Sequence, residues 1–186
     1  MILNIRGTSG SGKSHVVREL MKHFDITYPL YNTDNKVIGY RTADGDFHVL
    51  GKYTSPTGGI DATYNAKGAM NDCERVLRCW ATQAHVVFEG LTVSSGYGRW
   101  AALCAEAPEL DFTWAFLDTP LQQCYDYIQQ RNGGKPLRDP TYVSSKWAMC
   151  RRHAEKAKAD GFRVVWLPWQ HATREAIQLL QQGGPA

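Results

Sequence analysis

Residues 7–14 read Gly7-Thr8-Ser9-Gly10-Ser11-Gly12-Lys13-Ser14, between a short apolar run, Ile2–Arg6, and a segment of helical apolar spacing, Ser14–Phe24. Few eight-residue stretches constrain a chain more. Glycines at 7, 10 and 12 let the backbone turn several N–H groups toward one anion, and the helix that follows adds the positive end of its dipole. Lys13 can reach the β- and γ-phosphates of a nucleotide, and the Ser14 hydroxyl can ligate Mg²⁺. His15, next in the first helical turn, completes the expected nucleotide-binding set. Strand before and helix after are the context that makes the pattern a phosphate loop rather than a Gly/Ser turn.

The rest of the chain must supply a fold around that loop. At 186 residues it suits a single domain spanning 1–186, with a core that needs neither disulfides nor metal. Met1–Ile5 is too short for the apolar stretch of a leader and Arg6 ends it, and no apolar run is long enough to span a bilayer. These features predict a cytoplasmic protein without a membrane partner. Cys73, Cys79, Cys104, Cys124 and Cys150 are scattered and odd in number, which argues for reduced core residues.

Strand and helix signals alternate, as in an α/β protein with a largely parallel sheet. Residues 25–36 read as a connection. Val37–Arg41 and Phe47–Tyr53 flank an Asp-Gly turn and predict a β-hairpin, followed by a surface loop, Thr54–Thr63. Lys67–Thr82 has helical periodicity, His85–Gly90 is a buried strand ending in an acid, and Thr92–Gly98 is a loop before a helix near Arg99–Ala107. Phe112–Leu117 is a strand, and Pro120 suits the first turn of the next helix. A polar loop, Arg131–Tyr142, precedes a helix to Ala159, a strand Phe162–Leu167 and a helix Thr173–Gln182. The expected architecture is α/β: a three-layer fold on a mainly parallel five-stranded sheet, with the hairpin and a lid loop at about 131–142.

Several side chains are candidates for chemistry. Glu89 ends an apolar strand, where an acid holds the Mg²⁺ shell or orients the attacking group. Asp61, in Gly58-Gly59-Ile60-Asp61, and Asp34, before the hairpin, are acids that could take a proton from an acceptor hydroxyl; Asp61 is the preferred one. Arg131 could stack on an adenine and Arg138 could bridge phosphates as the lid closes. Tyr97, Arg99 and Trp100 combine a cation with aromatic faces, a workable platform for a base. Trp166 and Trp169 could line an adenine pocket. Net charge is only +3, yet Arg131–Lys158 holds eight basic residues against two acids. That segment reads equally as a solvated helix face or as a phosphate-holding surface.

Taken in order, residues 7–14, 58–61, 87–91 with 98–100, and 116–120 resemble the motifs of small phage P-loop kinases, in particular the 5-hydroxymethyluracil DNA kinases. The resemblance implies a P-loop kinase fold, ATP and Mg²⁺ at Lys13 and Ser14, and a DNA substrate carrying a modified pyrimidine. It also implies phosphorylation of the base's hydroxymethyl group, a step toward hypermodified phage DNA. The residues alone leave open a kinase acting on free nucleosides or nucleoside monophosphates. A GTPase switch is disfavoured: Asn35-Lys36-Val37-Ile38 lacks the acid of a guanine-specific motif.

Overall fold

A computed structural model describes residues 1–55, 58–64, 69–91 and 96–183. Its framework is one seven-stranded sheet: β1 Ile2–Arg6, β2 Tyr28–Tyr31, β3 Val37–Arg41, β4 Phe47–Leu50, β5 His85–Glu89, β6 Phe112–Leu117 and β7 Arg163–Leu167, in the order β2-β3-β4-β5-β1-β6-β7. The strands from β4 to β7 in that order are parallel, with Ile5 level with Glu89 on one side and Ala115 on the other. β3 and β2 extend the sheet antiparallel.

Among the described residues six α-helices cover it: α1 Lys13–His23, α2 Ala69–Ala81, α3 Tyr97–Glu106, α4 Leu121–Arg131, α5 Pro140–Ala159 and α6 Ala172–Gln182. β1 is buried on both faces, as parallel central strands are, and its alternation divides the core. Leu3 and Ile5 face Val16, Val17 and Leu20 of α1 and Ala172, Ala176 and Leu180 of α6. Ile2 faces the other layer, with Leu77 of α2, Trp100 of α3 and Ala154 of α5. Among the described residues no helix is long and apolar enough to cross a membrane.

The α/β three-layer class holds, with differences in detail. The hairpin is not an appendage, because its second strand β4 pairs with β5 and becomes the fifth parallel strand. Residues 25–36 include β2, which Pro29 disguises; proline is tolerated because β2 is the sheet edge. The expected loop at 131–142 is shorter. α4 runs through Arg131, and α5 begins at Pro140, where the Asp139 carboxylate accepts from the Tyr142 amide at 2.8 Å. The segment Thr54–Thr63 is not all surface: Ile60 is fully buried. Residues 56–57, the start of the expected helix at 67–68, and 92–95 of the expected loop lie outside the described residues. The cysteines are free, with Cys73, Cys124 and Cys150 buried and Cys79 exposed.

Candidate active site

The phosphate loop leaves the C-terminal end of β1 and winds into α1. Gly10 (φ 76°) and Gly12 (φ 95°) take the left-handed backbone that only glycine adopts without strain. Gly10 also presses on α4, where an added Cβ would lie 2.3 Å from the Cys124 carbonyl oxygen. Inside the loop the Thr8 carbonyl accepts from the Ser11 hydroxyl at 2.8 Å and from Lys13 Nζ at 2.9 Å. Lys13 is therefore held back on its own loop, buried.

Two external ties hold the loop. Thr8 Oγ1 donates to the Val143 carbonyl in the first turns of α5 at 3.0 Å, and Thr119 Oγ1, after β6, donates to the Ser11 carbonyl at 2.8 Å.

β5 delivers Glu89 to the first turn of α1, where Ser14 Oγ donates to Glu89 Oε1 at 2.7 Å. Glu89 is 2% exposed. Burial pushes its carboxyl above the ordinary range, Lys13 and the Ser14 bond pull it back, and Asp61 adds to the rise. A hydroxyl bonded to a buried carboxylate, beside a lysine and a phosphate loop, is an oxygen donor set suited to a hard cation such as Mg²⁺.

Asp61 reaches the same place from β4. After β4 the chain folds back on itself, Lys52 and Gly59 exchanging N–H···O bonds of 3.2 and 3.0 Å. This clasp lays Gly59 (φ 113°) on the acid, so that an added Cβ would lie 2.6 Å from Glu89 Oε1. Gly90 in turn lies against Asp61, and Asp61 Oδ2 accepts from the Leu91 amide. Glycines at 59 and 90 thus let two carboxylates from different elements sit together at the end of β5. Arg18 of α1 closes this side, donating to the carbonyls of Ser14 and Ser55, with its guanidinium 5.9 Å from the buried Tyr53 ring.

Between α1, α4 and α6, against the loop, lies a cavity of about 980 Å³. It takes in the loop from Gly10 to His15, with Arg131, Trp169 and Arg174 on its walls.

The structure therefore brings together residues 10–15, Glu89 and Asp61, and adds Arg131 and Trp169 around the cavity. It does not gather all the candidates. Asp34 lies in the exposed turn between β2 and β3, 3.7 Å from Lys36 Nζ. Its turn is three to four strand positions from β1, about 14–19 Å across the sheet. Arg138 is exposed in the connection 132–139.

The Tyr97-Arg99-Trp100 platform is corrected. Trp100 is fully buried against Phe88, Arg99 pairs with Glu74 at 2.8 Å, and the Tyr97 hydroxyl donates to Asp160. Helical spacing of Trp100 with Leu103 was the sign of a core face. Trp166 lies outside the cavity, packed on Phe116 and Arg151. Arg18 escapes a reading by motif, as do the ties that Thr8 and Thr119 make, since each joins elements distant in sequence.

Comparison with known proteins supplies the family and the fold. The family model described as 5-hmdU DNA kinase matches residues 1–166. The chain is 33% identical over 192 aligned residues to the 5-hmdU DNA kinase of Pseudomonas phage M6, covering 98% of both chains. It is 31% identical to that of Pseudomonas phage PaMx11, covering 97% of both. Among solved structures, a gluconokinase from Sinorhizobium meliloti 1021 has the same fold, with a TM-score of 0.53 at 17% identity over 97% of this chain and 93% of that one.

Proposed function

The chain belongs to the 5-hmdU DNA kinase family, and from that premise we propose that it transfers the γ-phosphoryl group of ATP to the hydroxymethyl oxygen of 5-hydroxymethyluracil in DNA. The observation that carries the reading is the placement of the Asp61 and Glu89 carboxylates beside the phosphate loop. An alcohol acceptor needs a base for its proton, and a second acid is needed on the donor side.

Residues 7–15 hold the ATP phosphates, and the adenine enters the cavity walled by Arg131 and Trp169. Lys13 leaves the Thr8 carbonyl and takes the transferring phosphate oxygens. Ser14 and Glu89 hold Mg²⁺, which when bound supplies positive charge against the crowded phosphates. Asp61, oriented by the Leu91 amide, accepts the proton of the substrate hydroxyl. The substrate oxygen then bonds to the γ-phosphorus, the bond to the β-phosphate oxygen breaks, and ADP leaves. Arg138 closes over the phosphates as the 132–139 connection moves. A base within a duplex must be turned out of the stack to reach this site. The whole chain works as one kinase domain in the cytoplasm of the infected cell, where the DNA lies.

The test offers γ-labelled ATP with hydroxymethyluracil-containing DNA, unmodified DNA, and free nucleosides and monophosphates in parallel. Label on the modified DNA alone is the expected result. Label on mononucleotides alone would overturn the acceptor, and ATP loss without transfer would overturn kinase action.

A further inference from the structure

The strand end Phe116-Leu117-Asp118-Thr119-Pro120 does no chemistry in the mechanism above, yet its threonine touches the phosphate loop. Thr119 is 1% exposed. Its hydroxyl has one proton, which it spends on the Ser11 carbonyl at 2.8 Å, while its own carbonyl accepts from Trp147 Nε1 of α5 at 2.9 Å. Trp147 is itself held: the Arg151 guanidinium lies 4.2 Å from its ring and 5.3 Å from that of Trp166, and pairs with Asp118 at 2.6 Å. A chain of contacts thus runs from the middle of α5 to one peptide of the loop.

That peptide matters because of its other end. Peptide planarity sets the carbonyl of one residue antiparallel to the N–H of the next. Holding the Ser11 carbonyl outward on Thr119 therefore points the Gly12 amide inward, into the concavity where an anion sits. The Gly12 carbonyl is spent on the Val16 amide at 3.0 Å, which fixes the peptide on the helix side and leaves the Ser11–Gly12 plane to the Thr119 bond. The residue has no side chain, and a Cβ built there would meet no atom within 4 Å. A left-handed glycine in open space can turn its peptide at little cost, so the hydrogen bond from Thr119 is the restraint.

We infer that Thr119 is a positioning residue of the phosphate loop: it sets the Ser11–Gly12 peptide so that the Gly12 amide is aimed at the nucleotide phosphates before they arrive. This rests on the reading of residues 7–14 as the ATP phosphate site. The gain is preorganisation, a donor already oriented rather than one turned at the cost of binding.

The experiment compares wild type with Thr119→Val, which keeps the shape and loses the donor, and Thr119→Ser, which restores it. Affinities for ATP and for inorganic tripolyphosphate are measured by calorimetry with Mg²⁺ and without acceptor, alongside the amide resonance of Gly12 in ¹⁵N-labelled protein. Thr119→Val should weaken both ligands about 10-fold and abolish the ligand-induced shift of the Gly12 amide, with Thr119→Ser within about 3-fold of wild type. A merely structural role would lower the melting temperature and leave the shift of Gly12 intact in the folded fraction.

Trp147→Phe, which removes the indole donor and keeps the ring, answers the same question if Thr119→Val does not fold; it should weaken tripolyphosphate about 3-fold. Wild-type affinity and a normal Gly12 shift in Thr119→Val, or in Trp147→Phe if that variant alone folds, would overturn the inference. Failure of wild type to bind ATP or tripolyphosphate would instead overturn the donor-site reading and take the inference with it.

Discussion

The phosphate loop and the acid clasp face each other across the Ser14–Glu89 bond, and they are built in opposite ways. The loop's inner bonds are local, those to the Thr8 carbonyl spanning three and five residues, with Thr119 and Val143 tying it from outside. The clasp is assembled from afar, since Asp61 meets the Leu91 amide thirty residues on, and Glu89 meets Ser14 seventy-five residues back. Its polar interior also differs. Buried hydroxyls of Thr63 and Tyr64 lack hydrogen-bond partners among the described residues, while no buried side-chain atom of residues 7–14 does. A loop whose anion-facing groups come from one short stretch can bind any polyphosphate. The acids that would select and activate an acceptor depend on packing across the whole sheet.

Removing a charge from each side separates the two roles. Lys13→Ala should lower phosphoryl transfer at least about 10³-fold, because the transferring phosphate loses its one positioned lysine. Asp61→Asn should lower kcat about 10²-fold and leave ATP affinity near wild type, which single-turnover transfer and calorimetry would show. Near-normal turnover in Asp61→Asn would move the base to another acid. A parallel loss of ATP affinity would mean that the clasp belongs to the donor side after all.

Glycine substitutions probe how each half is held. Ala at Gly12 meets open space, so its stability cost is the left-handed backbone alone, about 1–2 kcal/mol. Ala at Gly59 carries that cost and also drives a methyl to 2.6 Å from Glu89 Oε1 and 2.8 Å from its carbonyl oxygen. A total of about 3 kcal/mol or more is expected. Thermal unfolding without nucleotide should show a melting-temperature loss for Gly59→Ala roughly twice that for Gly12→Ala. Equal losses would mean that Glu89 yields freely and the clasp is looser than its glycines imply.

The same contrast explains what the sequence revealed. Residues 7–14 were legible because glycine spacing, strand and helix all fall within twenty-five residues. Glu89 could be read from the apolar run that it ends, and Asp61 only as one acid among several turn formers. That Gly59 and Gly90 bring these acids together is a matter of backbone approach, which has no signature in a single chain. β2 hid behind Pro29, which an edge strand tolerates. Trp100 misled for the opposite reason: an aromatic beside an arginine fits a binding platform, and burial alone tells it from core. Thr119 stood in a recognised stretch without a role, since its work is done on a loop 108 residues away.

The smallest expected effect lies beneath the acid side, between α3 and α5. Arg6 ends β1 there, 2% exposed, with its guanidinium 4.4 Å from the Trp114 ring and one bond to Asn4 at 3.1 Å. Burial lowers its pKa to about 10, so it remains charged at neutral pH. His153 of α5 shares this layer, its ring 5.4 Å from that of Tyr97. Burial first, then Arg6, Arg152 and Lys146, push its pKa from 6.5 down to about 4. The unfolded chain takes a proton on this histidine below pH 6.5, and the native state refuses it until about pH 4. Unfolding therefore takes up a proton between those values, and stability falls as the pH falls through that window. The ring is half-exposed, which keeps the effect modest. Melting temperatures followed from pH 7 to 4.5 should decline more steeply in wild type than in His153→Gln. Parallel curves would show that His153 takes its proton alike in the folded and the unfolded chain, and would remove the electrostatic part of the contrast between the two halves.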